Sequence, residues 1–94
     1  MHDAHAILHE LVVLTGVRVE TIRFGSNTKH PSQVRQVAAW LMRNVVGASY
    51  PDAGAFLSRH HTTILHSCRT VDAEIRQGRG PRFELLLDLM ERLR

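Results

Sequence analysis

A run of hydrogen-bonding side chains lies near the middle of the chain, directly after a segment that predicts a short helix and a tight turn. That first segment covers residues 49–58, and residues 59–66 predict the start of the next helix. The side chains at this start are Arg59, His60, His61, Thr62 and Thr63. Guanidinium, imidazole and threonine groups can all contact the edges of DNA bases. Because the first turn of a recognition helix enters the major groove, the pattern predicts a DNA-binding helix-turn-helix at about residues 49–76.

Positive charge is concentrated in the same part of the chain. The protein has 94 residues and a formal net charge of +3. Between residues 23 and 69, Asp52 is the single carboxylate. This imbalance favours a surface that faces phosphate groups. The cations of the stretch are Arg23, Lys29, Arg35, Arg43, Arg59 and Arg69.

Hydrophobic periodicity predicts an all-α protein, with one compact domain of about six helices over residues 1–94. No strand pattern or internal repeat is visible in the sequence. Glycine and proline residues mark most of the expected helix ends. The expected helices cover residues 3–15, 17–24, 31–46, 60–76 and 82–94, together with the short helix and its turn at 49–58.

The apolar stripes predict which side chains form the core. Arg35 and Arg43 are expected to stand away from it, Trp40 to cover its edge, and His61 to lie toward the apolar side of its helix. Cys68 has no cysteine partner and is expected in the core. The other expected core residues are Val34, Val37, Ala38, Leu41, Val45, Ala53, Phe56, Leu57, Ile64, Leu65, Val71, Ile75, Phe83, Leu86, Leu87, Met90 and Leu93.

Several functional classes are disfavoured by the motifs. The chain shows no glycine-rich phosphate loop, no paired catalytic carboxylates and no nucleophile with a recognisable base, so we expect neither an enzyme nor a cofactor. Seven histidines leave a metal site open, near His2, His5 and His9 or around His60 and His61, but one cysteine and no His-Glu-x-x-His motif disfavour it. No apolar stretch is long enough for a membrane span, and the sequence predicts a cytoplasmic, nucleoid-associated protein.

Three segments together resemble one family. They are Arg35-Gln36-Val37-Ala38, Ser49-Tyr50-Pro51-Asp52-Ala53-Gly54, and Arg59-His60-His61-Thr62-Thr63-Ile64-Leu65-His66-Ser67-Cys68-Arg69. This pattern is similar to the C-terminal DNA-binding domain of the bacterial chromosomal replication initiator DnaA, and the likeness covers nearly the whole chain. The resemblance implies a helical fold related to the Trp repressor. It also implies binding to a short box in double-stranded DNA, with a monomer on the DNA favoured.

The resemblance also implies site residues. The family signature His-Thr-Thr corresponds to His61, Thr62 and Thr63 at the major groove, and Pro51 is expected to approach the DNA. Together with the residue chemistry, this gives Arg59, His60, His61, Thr62, Thr63 and Pro51 as expected major-groove residues. The expected contacts to the DNA backbone or minor groove are Asn27, Lys29, Arg35, Arg43, His66 and Arg69.

Two departures from the family pattern affect DNA recognition. His60 stands where the family has an Asp that can accept a hydrogen bond from a cytosine amino group, so the preferred sequence is expected to differ. The family's basic loop is here residues 25–30, with Asn27 near an expected Arg and Lys29 as the remaining cation. Weaker contact with the minor groove is therefore expected. The turn before Arg59 is also one residue shorter than in the family.

The ATP-binding motor domain of the initiator has no counterpart in these 94 residues. We therefore expect no nucleotide binding. The chain is expected to be either an excised domain or a free-standing regulator or competitor at initiator-type sites, and the start at Met1 favours the second. The alternative is a helical protein-interaction module of the same fold with weak or lost DNA binding.

Overall fold

The computed structural model describes residues 3–94, and the elements of this part of the chain are helical. Helix α3 continues into a π-helical turn, Met42–Val46, and begins two residues before the expected Pro31. The all-α class and the expected number of helices are confirmed. The α-helices are α1 (Ala4–Thr15), α2 (Val19–Phe24), α3 (Lys29–Leu41), α4 (Tyr50–Leu57), α5 (His61–Gln77) and α6 (Pro81–Arg92).

Helix α3 lies at the centre of the bundle and contacts each of the other five helices. Its residues Val34, Val37 and Leu41 are almost completely buried. Each surrounding helix contributes at least one fully buried side chain to the same hydrophobic cluster, so α3 fixes the positions of the other helices. These contributions are Leu11 from α1, Ile22 from α2, Leu57 from α4, Ile64 from α5 and Leu89 from α6.

The π-helical turn after α3 changes which side chains face the core. Met42 is buried, whereas Val45 is 41% exposed. The expectation that Val45 continues the apolar face of a regular helix is wrong, because a π turn is wider than an α turn and rotates the following residues out of register. Gly47 then ends the segment in a left-handed conformation, with φ of 85°.

The buried face of helix α6 matches the expected one only in part. Leu86 and Leu89 are buried, whereas Leu87 and Met90 are each 45% exposed. The expectation that Leu87 and Met90 belong to the core is wrong. Six apolar residues within positions 83–90 leave the buried face of this helix ambiguous in the sequence, and packing against α3 and α5 selects it.

Helices α4 and α5 form the expected helix-turn-helix, with residues 58–60 as the turn. Ser49 Oγ accepts a hydrogen bond from the Asp52 N–H at 3.1 Å, which confirms the expected cap of α4. The turn passes very close to α4 at Gly54, where an added Cβ would lie 2.4 Å from the Arg59 carbonyl oxygen. Glycine at this position is therefore required for the close approach of the two helices.

Other expected features of the core are present. Cys68 is buried, and Trp40 is half-buried at the core edge, where its indole N–H donates to Asp72 Oδ1 at 2.8 Å. Phe56 is half-buried, whereas Ala53 and Leu57 are fully buried. Within residues 3–94, no helix combines the length and apolar character that crossing a bilayer requires.

Candidate nucleic-acid interface

The first turn of α5 presents its polar side chains to the outside. His60 is the residue that caps the helix and does not belong to its first turn. Its Nδ1 accepts a hydrogen bond from the Thr62 N–H at 3.2 Å, and Nδ1 also contacts Thr62 Oγ1. The side chains of His60, His61, Thr62 and Thr63 are all exposed. The cap and the first turn of α5 are therefore accessible to a partner along four consecutive residues.

His61 does not lie on the apolar side of α5, and that expectation is wrong. Its ring lies beside the His60 ring, with 4.1 Å between the centroids and 34° between the planes. The buried face of α5 begins one residue after the Thr pair, at Ile64. His61 therefore points out of the protein because the helix start extends beyond the core.

Arg35 is buried, which contradicts the expectation that it stands away from the core. Only 5% of the residue is exposed. Its Nε donates to the Ile22 carbonyl oxygen at 2.7 Å, and its Nη2 donates to the Thr21 carbonyl oxygen at 2.7 Å. Burial, followed by the nearby charge of Arg59, lowers the pKa of Arg35. Its guanidinium group thus holds the C-terminal end of α2 and does not reach the surface as a DNA-backbone contact would.

Arg59 connects the loop after α2 to the turn before α5. Its Nη2 donates to the Gly25 carbonyl oxygen at 2.7 Å and to Asn27 Oδ1 at 3.3 Å. Its Nη1 donates to the Ser58 carbonyl oxygen at 3.0 Å. Arg35 Nη1 also donates to Asn27 Oδ1 at 3.3 Å. Asn27 and Arg59 are therefore engaged with each other and with the backbone, an arrangement that places the loop beside the first turn of α5.

A second exposed group lies at the start of α4. Pro51 is exposed in the first turn, as expected for a residue that approaches a partner. The guanidinium group of Arg43 lies over the neighbouring Tyr50 ring, 4.6 Å from its centroid, and Nη1 donates to the Ala48 carbonyl oxygen at 3.4 Å. These contacts leave Arg43 half-buried beside α4. Its side chain therefore reaches less far into solvent than the expectation that it stands away from the core implies.

The remaining expected backbone contacts are open to solvent. Lys29 is exposed at the start of α3, and His66 and Arg69 are exposed on α5. Thr62, His66 and Arg69 are spaced by four and three residues, which places them on one face of the helix. This exposed face therefore continues along α5 from its first turn to Arg69.

The charges around this surface have no carboxylate partners within the described chain. The ion pairs found in residues 3–94 are Arg18–Glu20, Glu74–Arg82, Glu10–Arg92 and Glu91–Arg94. All of them lie outside residues 23–69, the stretch that holds six cations and one carboxylate. Arg23 in that stretch packs instead on aromatic rings, 4.1 Å from the Phe56 centroid and 5.0 Å from that of Phe24. The surface accordingly keeps its positive charge for an external anion.

The histidines do not form a metal cluster in the part of the chain that the structure describes. No group of three His, Cys, Asp or Glu side chains in residues 3–94 is arranged to hold a metal ion. His5 packs edge-on against Phe56, with 5.1 Å between the ring centroids. The expectation that involves His2 falls outside the described residues.

Sequence reasoning missed two positioning roles at this site. The capping bond of His60 has little sequence signal, because the usual capping residues are Ser, Thr, Asn and Asp. The burial of Arg35 has no sequence signal, because its acceptors are backbone carbonyl oxygens, which every residue type provides. The roles of both residues are set by the packing of α2 against α3 and of the turn against α5.

Comparison with known proteins agrees with this geometry. The family described as "Bacterial dnaA protein helix-turn-helix" matches residues 4–71. The chromosomal replication initiator protein DnaA of Aromatoleum aromaticum is 40% identical over 63 residues, which cover 66% of this chain and 13% of the relative. The protein of the same name from Chloroflexus aurantiacus is 33% identical over 85 residues, covering 89% of this chain and 18% of the relative. That from Aquifex aeolicus is 35% identical over 77 residues, covering 81% and 19%.

The chain spans less than a fifth of the length of these relatives. The match covers most of this chain, including the whole of α4 and the first turns of α5. The resemblance inferred from the three sequence segments is thereby confirmed. The chain belongs to the bacterial DnaA helix-turn-helix family, a family of DNA-binding domains.

Proposed function

We propose that this domain binds double-stranded DNA sequence-specifically, with the first turn of α5 in the major groove. The observation that carries the proposal is the exposed run from His60 to Thr63 at the start of a recognition-type helix. It lies in a stretch whose cations make no ion pair with a carboxylate of residues 3–94. Helix starts of this kind read base edges, while neighbouring cations contact phosphates.

The geometry supports a division of roles among the expected site residues. The proposed base-reading residues are His60, His61, Thr62 and Thr63, with Pro51 approaching the DNA from α4. The proposed backbone contacts are Lys29, Arg43, His66 and Arg69. Three further residues, Asn27, Arg35 and Arg59, are proposed to position the loop and the turn, since their polar groups contact one another and the protein backbone.

The proposed binding site is a short box of the kind recognised by replication initiators, with altered base preference at one or more positions. Binding there would place this domain in competition with an initiator for the same DNA. The proposal involves no catalysis and no nucleotide, because the residues of the proposed site serve hydrogen bonding and charge neutralisation.

The experiment starts by selecting preferred sites from a library of random duplexes. Fluorescence anisotropy then compares a selected duplex, a duplex carrying an initiator box and a scrambled duplex, each at low and near-physiological salt. We expect a preference of at least about tenfold for the selected duplex over the scrambled one, persisting at the higher salt. Equal and strongly salt-sensitive binding to all duplexes would contradict sequence-specific recognition, and no binding would favour a protein-interaction role.

Competition is tested on the initiator-box duplex. A purified initiator is bound to the labelled duplex, and increasing amounts of this domain are added. Displacement at concentrations near the dissociation constant of the domain for that duplex supports a competitor role. If both proteins occupy the duplex together, or if the domain leaves the initiator bound, the competitor role is wrong even where duplex binding itself is established.

A further inference from the structure

The capping bond of His60 fixes where the proton lies on its neutral ring. The Thr62 backbone N–H can only donate, and it donates to His60 Nδ1. Nδ1 must therefore be unprotonated to make this bond. A neutral imidazole carries one proton, which then resides on Nε2. The capped form of His60 is thus a hydrogen-bond donor at Nε2.

The side chain of Thr62 contacts the same ring nitrogen. Its Oγ1 contacts His60 Nδ1, which has no proton to give in this tautomer. In this contact the Thr62 hydroxyl is the donor and shares the single lone pair of Nδ1 with the Thr62 N–H, so the lone pairs of Oγ1 are left as acceptors. The two neighbouring side chains therefore offer one donor, from His60, and one acceptor, from Thr62.

The donor on His60 is free to meet a partner. The His60 side chain is exposed, and no hydrogen bond within residues 3–94 uses its Nε2. The ring is also held in place, by the cap on one edge and by the His61 ring beside it. A fixed donor on the capping residue of a recognition helix is suited to reading a base edge.

We infer that His60 is a specificity-determining residue that selects a hydrogen-bond acceptor in the major groove and rejects cytosine. This inference rests on the proposed function. Cytosine presents only its amino donor in the major groove, whereas guanine presents two acceptors, N7 and O6, and no donor. Two donors that face each other lose their hydrogen bonds to water without replacement. Guanine is therefore the preferred base opposite His60, and cytosine is the least preferred.

Two substitutions separate the donor from the cap. Asparagine and aspartate are both good helix caps, so His60→Asn and His60→Asp both keep α5 intact. The amide of asparagine retains a donor, whereas an ionised aspartate is an acceptor only. Thermal unfolding of the variants checks that both fold.

The test measures the affinity of each protein for a set of duplexes in which every base pair of the selected site is changed in turn. At one position, wild type and His60→Asn are expected to prefer guanine over cytosine by about tenfold, and His60→Asp is expected to prefer cytosine. A 7-deazaguanine at that position, which lacks the N7 acceptor, should weaken wild-type binding about fivefold or more if N7 is the contacted atom. The readout is the ranking of the four bases. A loss of affinity in His60→Asp that is equal for all duplexes leaves this ranking unchanged and so contradicts the inference.

The results distinguish the inference from the proposed function. If all three proteins bind the selected duplex specifically and rank the four bases identically at every position, the inference is wrong and the proposed function stands. If wild type does not distinguish the selected duplex from a scrambled one, the proposed function fails and the inference fails with it. A reversal of base preference at one position in His60→Asp alone establishes the donor role.

Discussion

Arg59 Nη2 lies 2.7 Å from the carbonyl oxygen of Gly25 and donates a hydrogen bond to it across 34 positions of the chain. This bond joins the turn before α5 to the loop that follows α2. Arg35 donates to the same carbonyl oxygen, at 3.3 Å, from inside the protein. Two arginines that the sequence suggests as DNA contacts therefore hold together the surface that the proposed function uses.

Replacing Arg35 with methionine tests its positioning role. Methionine fills part of the volume but removes the side-chain donor to the carbonyl oxygens of Thr21 and Ile22. The Thr21 oxygen then keeps only the Gly25 N–H, at 2.9 Å. We expect the free energy of unfolding to fall by about 2–4 kcal/mol. Urea unfolding followed by circular dichroism measures it.

The matched control for that variant is Arg69→Met, at an exposed position of α5. Its effect on stability should stay within about 0.5 kcal/mol. Its effect on DNA binding should be a reduction of the salt slope by about one unit on every duplex. Equal stability losses in the two variants would show that Arg35 is not the buried anchor described above.

Gly54→Ala tests the close packing between α4 and the turn. The new Cβ would lie 2.4 Å from a backbone oxygen of Arg59, so one of the two segments must move. We expect a loss of about 1–3 kcal/mol in the free energy of unfolding, together with weaker binding to the selected duplex. Ala55→Ser, on the exposed face of the same helix, should change stability by no more than about 0.5 kcal/mol. Unchanged stability and DNA affinity in Gly54→Ala would mean that the turn tolerates this displacement.

Glu74 makes stability depend on pH. Burial opposes ionisation of its carboxyl, but hydrogen bonds from the Phe83 N–H and from the side chain and N–H of Arg82 outweigh it and lower its pKa. The ionised carboxylate thus stabilises the fold above the ordinary glutamate pKa of about 4.3, and this contribution is lost as pH falls through the lowered pKa.

The variant Glu74→Gln isolates this contribution. Near neutral pH we expect it to be less stable than wild type by about 1–3 kcal/mol, and the difference should shrink at pH values below about 4. Urea unfolding of both proteins at a series of pH values measures the difference. A gap that stays constant from neutral to acidic pH would contradict the assignment to the Glu74 carboxylate.

The thiol of Cys68 should react slowly in the folded protein. Burial, with a smaller contribution from Asp72, raises its pKa to about 11, although Arg43 acts in the opposite direction. Very little thiolate is present at neutral pH, so alkylation by iodoacetamide should be at least about a hundredfold slower than in denaturant. Mass spectrometry of timed samples measures the rate. Fast alkylation under native conditions would contradict the buried position of this residue.

The sequence predicts the helices well because their apolar stripes and caps are local features. Ser49 and Asp52 mark the start of α4, and Gly78 marks the end of α5, before any packing is known. The sequence wrongly predicts Val45 and Met90 to be core residues, and the two errors have different reasons. A π turn cannot be read from residue types, and the leucine-rich α6 offers more than one apolar face.

The candidate site also contains residues that local sequence predicts and residues that only tertiary packing positions. The exposed run from His60 to Thr63 follows from its position at a helix start, and the structure places it at the surface as expected for Thr62 and Thr63. The positions of Arg35 and Arg59 depend on backbone carbonyls that lie far from them in the sequence. Charge alone therefore identifies the surface but does not separate cations that can meet DNA from cations that support it.

The measurement that tests the central claim most directly is the affinity of Thr63→Ala for a selected duplex and for a scrambled one. The matched control is Thr70→Ala on the same helix, two turns further from the proposed major-groove contact. If the first turn of α5 reads the bases, Thr63→Ala should lose about 1–3 kcal/mol on the selected duplex and little on the scrambled one, while Thr70→Ala keeps the wild-type preference. Equal losses of Thr63→Ala on both duplexes, or no loss on either, would contradict the account.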